Sequence, residues 1–301
     1  MVGGMSELET RELRYFVAVA QELHFGHAAD LLGMAQPPLS RAIRQLEERL
    51  GVRLFDRDRR SVTLTDAGAV LLREAEPALN AVAAAARRTR RAGDSRHSIA
   101  LATKAGASHY LLQHLLEAIA EDPAVPAVDV VLCEVGEQAS MLRDGRADVA
   151  LMHRPVDDLA GFDAEELFIE RQVAIVPAKH PLARRTHVTI ADISDVPDLP
   201  LARWPRLDGT YPDGPGPEVR TQSQIAQLVA LGKALLVIPA SSRAWQWPEH
   251  VAIPVVDAPE VTTVIAWPAH SHSRDLAAVV RTATNIADLS TLVPASAVDG
   301  R

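Results

Sequence analysis

A chain of 301 residues, 48% hydrophobic and 23% charged, is long enough for two domains and apolar enough for real cores. Its best membrane-span candidate, residues 228–240, is too short and carries Lys233, and its start lacks the basic-then-apolar order of a secretion signal, so a cytoplasmic protein with no membrane partner is expected. The single cysteine, Cys133, excludes an intrachain disulfide and a cysteine-rich zinc site, while charge divides unevenly: residues 1–92 hold 14 arginines against 12 acids (+2), and residues 93–301 hold 17 basic against 27 acidic residues (−10).

A slightly basic end on an acidic body suits a nucleic-acid-binding head joined to a domain with other work. Leu13, Phe16, Val17 and Ala20 recur at helical spacing and predict a first helix. Ala28, Ala29 and Leu32 mark a second, opening near Gly26 and stopped by Gly33. A third carries Leu39, Ala42, Ile43, Leu46 and Leu50 on one face, with Ser40, Arg41, Arg44 and Gln45 off that stripe. Pro37 and Pro38 precede this stripe. Proline is accepted in a first helical turn, where its missing N–H has no partner to lose and its φ is already set. The pair therefore starts the third helix sharply after a tight turn, the order of a helix–turn–helix. Gln36, Ser40 and the arginines then dominate a tip that faces the major groove, where Gln and Arg pair with adenine and guanine edges. A three-helix bundle with a solvated arginine face is the plainer alternative.

The next stretch, "VRLFDRDRRSVTLT", alternates as two short strands around a charged turn. It reads as a wing whose tip carries Arg57, Arg59 and Arg60, suited to phosphate contacts. Thr65 caps a long helix in which Leu72, Ala75, Leu79, Val82 and Ala86 follow a 3-4-3-4 spacing, a short dimerisation seam with Pro77 as an expected kink. Packing on its own domain is the alternative for that helix. The run Arg87, Arg88, Arg90 and Arg91 closes it, and "GDSRHS" is the linker.

These residues carry a resemblance. "LRYFVAVAQELHFGHAADLLGMAQPPLSRAIRQLEERLGVRLFDRDRRSVTLTDAG" resembles the DNA-binding domain of the LysR-type transcriptional regulators, without gaps, and "QPPLSRAIRQLEERLGVRLFDR" is highly specific to that family. The resemblance implies a winged helix–turn–helix, a linker-helix homodimer or homotetramer, and an effector domain behind it. It implies that Gln36, Pro37, Ser40 and Arg41, with wing residues such as Arg57 and Arg60, approach DNA; Arg44 and Arg59 join them as candidate contacts, and the expected partner is double-stranded DNA at palindrome-like promoter sites. Gly26 and His27 replace the family's common hydroxyl and arginine, and Ala35 replaces the usual serine before Gln36, removing a helix cap.

From Ser98, strands alternate with helices: "SIALAT", "VDVVLCE", "DVALM" and "QVAIVPA", then "LPLAR", "EVRT", "ALLVIPA", "VAIPVV" and "TTVIAW", with a last amphipathic helix near Arg274. This is α/β grammar in two lobes, with a cleft beyond the strand ends. "LRDGRADVALMHRP", "HPLARR" and "IAQLVALGKALLVIPAS" are similar to the LysR effector domain, whose fold is that of periplasmic solute-binding proteins and whose ligands are small metabolites, often anionic. By position, the resemblance puts Thr103, Lys104, Ala105, Gly106 and Ser108 along the cleft, with Lys104 balancing a ligand carboxylate. Gln138, Arg203, Trp204, Thr221 and Ser223 would face the same space. The turn between Glu134 and Gln138 is shorter than the family's, and Ala234 replaces a glycine.

The expected domains are 1–65 (winged helix–turn–helix), 66–97 (dimerisation helix and hinge), 98–292 (two-lobed effector domain) and 293–301 (flexible tail). The reading is a sequence-specific transcriptional regulator set by a small-molecule effector, with no enzyme activity and no cofactor or metal. "HSHS" at 270–273 has no third ligand at sensible spacing, Cys133 sits in an apolar strand, and "GKA" at 232–234 lacks a phosphate-loop pattern. The rival readings are an oligomeric solute-binding module and a cleft enzyme.

Overall fold

The computed structural model describes residues 8–57, 61–93, 98–206, 210–242, 247–271 and 273–289. Arg59, Arg60 and the tail 293–301 lie outside the described residues. The chain forms two compact units, Met1–Arg88 and Thr89–Arg301. No helix among the described residues is long and apolar enough to cross a membrane.

The first unit contains α1 (Thr10–Glu22), α2 (Phe25–Leu31), α3 (Gln36–Leu50), β1 (Phe55–Arg57), β2 (Val62–Leu64) and most of α4 (Asp66–Ala92). Phe16, Leu39, Ile43, Leu46, Leu54 and Phe55 are fully buried at its centre. The buried face of α1 is wider than its spacing predicts: Ala18 and Val19 are buried, while Val17 is only partly so. Helix α2 begins at Phe25, one residue before Gly26, because His24 caps it. The His24 Nδ1 accepts the N–H groups of Gly26 (3.1 Å) and His27 (3.2 Å). Helix α3 opens with the two prolines in its first turn, without a side-chain cap from Ala35, and stops at Gly51, whose φ of 71° is the left-handed conformation that favours glycine.

Strands β1 and β2 form an antiparallel hairpin that pairs Phe55 with Leu64 and Arg57 with Val62. Thr65 joins the hairpin to α4: its Oγ1 accepts the Gly68 N–H (3.0 Å) and donates to the Arg53 carbonyl (2.7 Å). A Cβ at Gly68 would lie 2.1 Å from the Leu54 carbonyl oxygen, so the helix closes on the hairpin only because that residue has no side chain. The first half of α4 turns inward. Ala75 is 1% exposed within the head's core, and Leu71, Leu72 and Leu79 pack against that core. Within the single chain, Leu72, Ala75 and Leu79 of the expected seam hold α4 to its own head, and only Val82 and Ala86 of the five are exposed. A 3-4-3-4 apolar spacing says that one helix face is covered, and the nearest cover is the chain itself.

The second unit has two sheets. Five strands, β3 (Ser98–Lys104), β4 (Ala127–Cys133), β5 (Val149–Arg154), β6 (Phe162–Glu170) and β10 (Val261–Pro268), lie in the order β4-β3-β5-β10-β6. Strand β3 runs parallel to β4 and β5, whereas β10 is antiparallel to β5 and β6. Helices α5 (His109–Glu121) and α9 (Arg274–Leu289) pack on one face over Leu101, Val149, Leu151 and Ile265, and α6 (Gln138–Asp144) covers the other over Ala102, Ala150 and Met152. The second sheet is antiparallel, ordered β8 (Leu236–Pro239), β7 (Gln172–Pro177) and β9 (His250–Pro254), with α7 (Ile190–Ser194) and α8 (Gln222–Ala230) beside it. The chain crosses between sheets twice, at Arg171 and between β9 and β10. "LPLAR" and "EVRT" are not full strands. They form only isolated bridges, Leu201 to Leu235 and Arg203 to Glu218, in a stretch interrupted by Pro200, Pro205 and Pro217.

Candidate functional site

Two surfaces carry chemistry, one in each unit. In the first, Leu39, Ile43 and Leu46 anchor α3, which turns its other side outward. Gln36, Pro37, Arg41 and Arg44 are exposed there and Ser40 is half-buried, so the polar residues of the helix start share an outward face. Arg57 is elsewhere than expected. It belongs to β1, where its guanidinium pairs with Glu47 (2.9 Å) and lies 4.7 Å from the centre of the Phe25 ring. Burial pushes its pKa below the ordinary arginine value, Glu47 opposing and Arg44 and Arg53 adding to the shift. Arg57 thus joins the hairpin to α2 and α3. Glu47 is the centre of that joint: its Oε1 also accepts the N–H groups of Leu54 (2.9 Å) and Phe55 (3.1 Å).

In the second unit a cavity of about 200 Å³ opens between the two sheets, smaller than most sites for drug-sized ligands. Lys104, Gly106 and Ala107 line it from the end of β3 and the following turn, and His153 from the end of β5. The opposite wall is Trp204, Gln222 and the β8 residues Val237 to Pro239. Of the expected contacts, Lys104, Gly106 and Trp204 reach this space. The others have different work. Thr103, Ser108 and Gln138 are almost wholly buried and stand behind the wall. The Ala105 N–H is taken by the Cys133 carbonyl. Arg203 binds the carbonyls of Gly216 (2.7 Å) and Pro212 (3.0 Å) and the Glu218 carboxylate (3.2 Å), so it braces its own loop instead of facing a ligand. Thr221 caps α8 through the Gln224 N–H, and Ser223 pairs with the Thr221 hydroxyl.

Lys104 does not present a bare charge. Its Nζ lies 2.7 Å from Asp157 Oδ2 and 3.3 Å from His153 Nδ1, and all three side chains are at most 8% exposed. Asp157 also accepts the His153 backbone N–H at 2.7 Å, and Ser108 Oγ sits 3.4 Å from His153 Nε2. Burial pushes Asp157 upward, but His153 and Lys104 outweigh it and leave its carboxyl below the usual range. Burial, with Lys104 beside it, holds the imidazole below its ordinary value against the pull of Asp157, so it stays neutral. The role expected for a ligand carboxylate is thus filled by Asp157. The sequence reading missed His153 and Asp157. The signal was there in "HRP" at the end of a buried strand, with an aspartate four residues after the histidine. Among the described residues, no group of three or more His, Cys, Asp or Glu could hold a metal ion.

Residues 10–69 match the family described as bacterial regulatory helix-turn-helix protein, lysR family, and residues 92–286 match the LysR substrate binding domain. The Hca operon transcriptional activator HcaR of Escherichia coli is 31% identical over 278 residues, 86% of this chain and 92% of that one. The regulator IlvR of Caulobacter vibrioides is 31% identical over 283 residues, 86% and 92% of the two chains. The full-length structure of BenM, a regulator of Acinetobacter baylyi, superposes with a TM-score of 0.50 at 27% identity, covering 94% of this chain and 97% of that one. CbnR, at 24% identity and a TM-score of 0.60 over 93% and 99% of the chains, shares the fold. With both family domains in place and in that order, the chain belongs to the LysR family: it is a DNA-binding transcriptional regulator with an effector-binding domain.

Proposed function

We propose that the outward face of α3 reads base edges, with Gln36, Pro37, Ser40 and Arg41 foremost and Arg44 beside them. The observation that carries this reading is the division of α3 into a buried Leu39–Ile43–Leu46 side and an exposed polar start. Arg59 and Arg60, which follow β1 in the sequence, supply phosphate contacts, and Arg57 is left out of the contact set. Two copies joined along α4 place two such helices on successive half-sites of a duplex. The contact lies on the exposed side of α4, at Val82 and Ala86 with Ala78, Ala81 and Ala85. Full-length CbnR, which shares this fold, has been solved in complex with its target DNA. The protein works in the cytoplasm, and a small molecule in the 200 Å³ cavity biases one arrangement of the heads by binding it better than the other.

The cavity recognises and does not turn over its ligand. Ser108, His153 and Asp157 stand together, yet the His153 Nδ1 is 3.7 Å from the Asp157 carboxylate and nearer to Lys104, so no carboxylate orients the imidazole as a base. A probable hydrogen peroxide-inducible genes activator of Mycobacterium xenopi is 36% identical over 177 residues, 58% of this chain. Peroxide sensing is not part of this reading. Cys133 is the single cysteine, it is buried, and burial pushes its thiol up to about 11, far from a reactive thiolate.

The test is competition between the chain's own promoter region and random duplex, with the Arg41→Ala variant alongside. A sequence preference that Arg41→Ala relaxes at one base pair, at a cost of about 1–3 kcal/mol, supports base readout. Equal weakening on every duplex would assign Arg41 to phosphate alone, and no preference in the native chain would remove the reading.

A further inference from the structure

We propose that the cavity selects an uncharged, largely apolar small molecule and rejects carboxylates, because Asp157 and Glu134 already stand at the two places where a ligand carboxylate would be neutralised. This rests on the reading of the cavity as the effector site. The first place is Lys104, the one cation among the described residues that line the cavity. Its ammonium is 2.7 Å from Asp157, and the two side chains are 8% and 3% exposed. A second carboxylate brought to that ammonium would leave one buried negative charge without a partner, and a buried unpaired charge is among the most unfavourable groups a protein can hold. His153 is a poor source of the missing charge, since burial and Lys104 hold its pKa below the ordinary value.

The second place is the first turn of α8, whose free N–H groups would ordinarily welcome an anion. There the Gln222 N–H donates to Glu134 Oε2 across the cleft (3.4 Å), and the Gln224 N–H is taken by Thr221 (3.2 Å). Glu134 is itself steadied by its neighbour, its own N–H donating to Glu137 Oε2 at 2.9 Å. Two carboxylates, Glu134 and Glu137, therefore flank the wall residue Val135 and add repulsion toward an incoming acid. What the rest of the lining offers is apolar surface from Val135, Val156, Trp204, Ile238 and Val261, with uncharged polar groups at Gln172, Gln222 and Ser242. A single-ring amide, alcohol or lactone meets that set, filling the apolar walls while its carbonyl or hydroxyl takes a hydrogen bond from the remaining Lys104 hydrogen.

Two matched probe pairs test this on the full chain by calorimetry and thermal shift at neutral pH: benzamide against benzoate, and phenylacetamide against phenylacetate. The amides are expected to bind the native protein roughly tenfold or more tightly than the acids, the margin between a charge-assisted hydrogen bond gained and lost. Asp157→Asn frees the Lys104 charge and should reverse the preference. Glu134→Gln, at a less buried position, should narrow it, and decides the matter if the Asp157 variant does not fold. Acids that match or exceed amides on the native protein overturn the proposal and leave the effector site standing. If neither member of either pair binds the native protein or a folded variant, the cavity is not a ligand site, and the effector reading falls together with the proposal.

Discussion

Replacing Glu47 with alanine should loosen the head while leaving the second unit untouched. One carboxylate oxygen receives the Leu54 and Phe55 N–H groups at 2.9 and 3.1 Å, and the other pairs with Arg57 at 2.9 Å. Hydrogen bonds to a charged group contribute about 1.5 kcal/mol each at the low end, and a partly exposed ion pair about 1 kcal/mol or less. The sum for Glu47→Ala is roughly 3–4 kcal/mol, whereas Glu47→Gln keeps an acceptor for the two amides and should lose about half as much. All four tryptophans, Trp204, Trp245, Trp247 and Trp267, belong to the second unit, so fluorescence reports on that unit alone while far-UV dichroism reports on both. With a urea slope of about 1.5 kcal/mol per molar, the dichroism step of the head should fall by on the order of 2 M in Glu47→Ala, with the fluorescence step unmoved. A dichroism step within error of the native one, or a fluorescence step that moves equally, would refute the joint.

Gly68→Ala should destabilise the head despite the roughly 1 kcal/mol that alanine gains over glycine in a helix, because its Cβ meets the Leu54 carbonyl oxygen at 2.1 Å; a raised melting temperature would contradict the packing. Val82→Glu should split dimers while leaving the head folded, and Leu79→Glu should unfold the head. Sedimentation and dichroism separate the two, and a dimer unaffected by Val82→Glu removes that part of α4 from the interface. Acid should weaken the second unit in two stages. His153 is held below its ordinary value, so the unfolded chain binds the proton first and stability falls as pH drops below about 6.5. Asp157, also depressed, adds a second loss below about pH 4. Burial raises Glu170, which acts in the opposite sense: its contribution is present in acid and is lost as pH rises through its raised value. The fluorescence midpoint between pH 7 and 5 should slope downward in the native chain and flatten in His153→Gln; an equal slope in the variant assigns the first stage to other groups.

The head was legible because its signals are local. Two prolines, an apolar period of 3.6 and a glycine stop define α3 without reference to anything distant. The start of α2 was less so, because histidine is an uncommon cap and its use depends on the imidazole's orientation. Strand β6 was absent from the reading: "FDAEELFIE" is acidic and lies at a sheet edge, where only one side is covered and alternation is weak. The seam on α4 was ambiguous for a different reason. Periodicity shows that a face is buried but does not name the partner, and Leu72, Ala75 and Leu79 find theirs in the same head. In the cavity, position identified Lys104 and Trp204 but could not show that a lysine 53 residues from an aspartate is already paired. Ion pairs between distant segments leave no trace in spacing.

The order of strands has a consequence for synthesis on the ribosome. Strand β10, Val261–Pro268, lies between β5 and β6, both made about a hundred residues earlier. Until it emerges, those two wait with unsatisfied backbone edges, one of them carrying the apolar run Val149 to Met152. The smaller lobe, which lies between β6 and β10 in the chain, can condense first, so a nascent chain stalled before residue 261 presents a finished lobe beside a half-built, adhesive one. Chaperone demand should therefore peak late in translation.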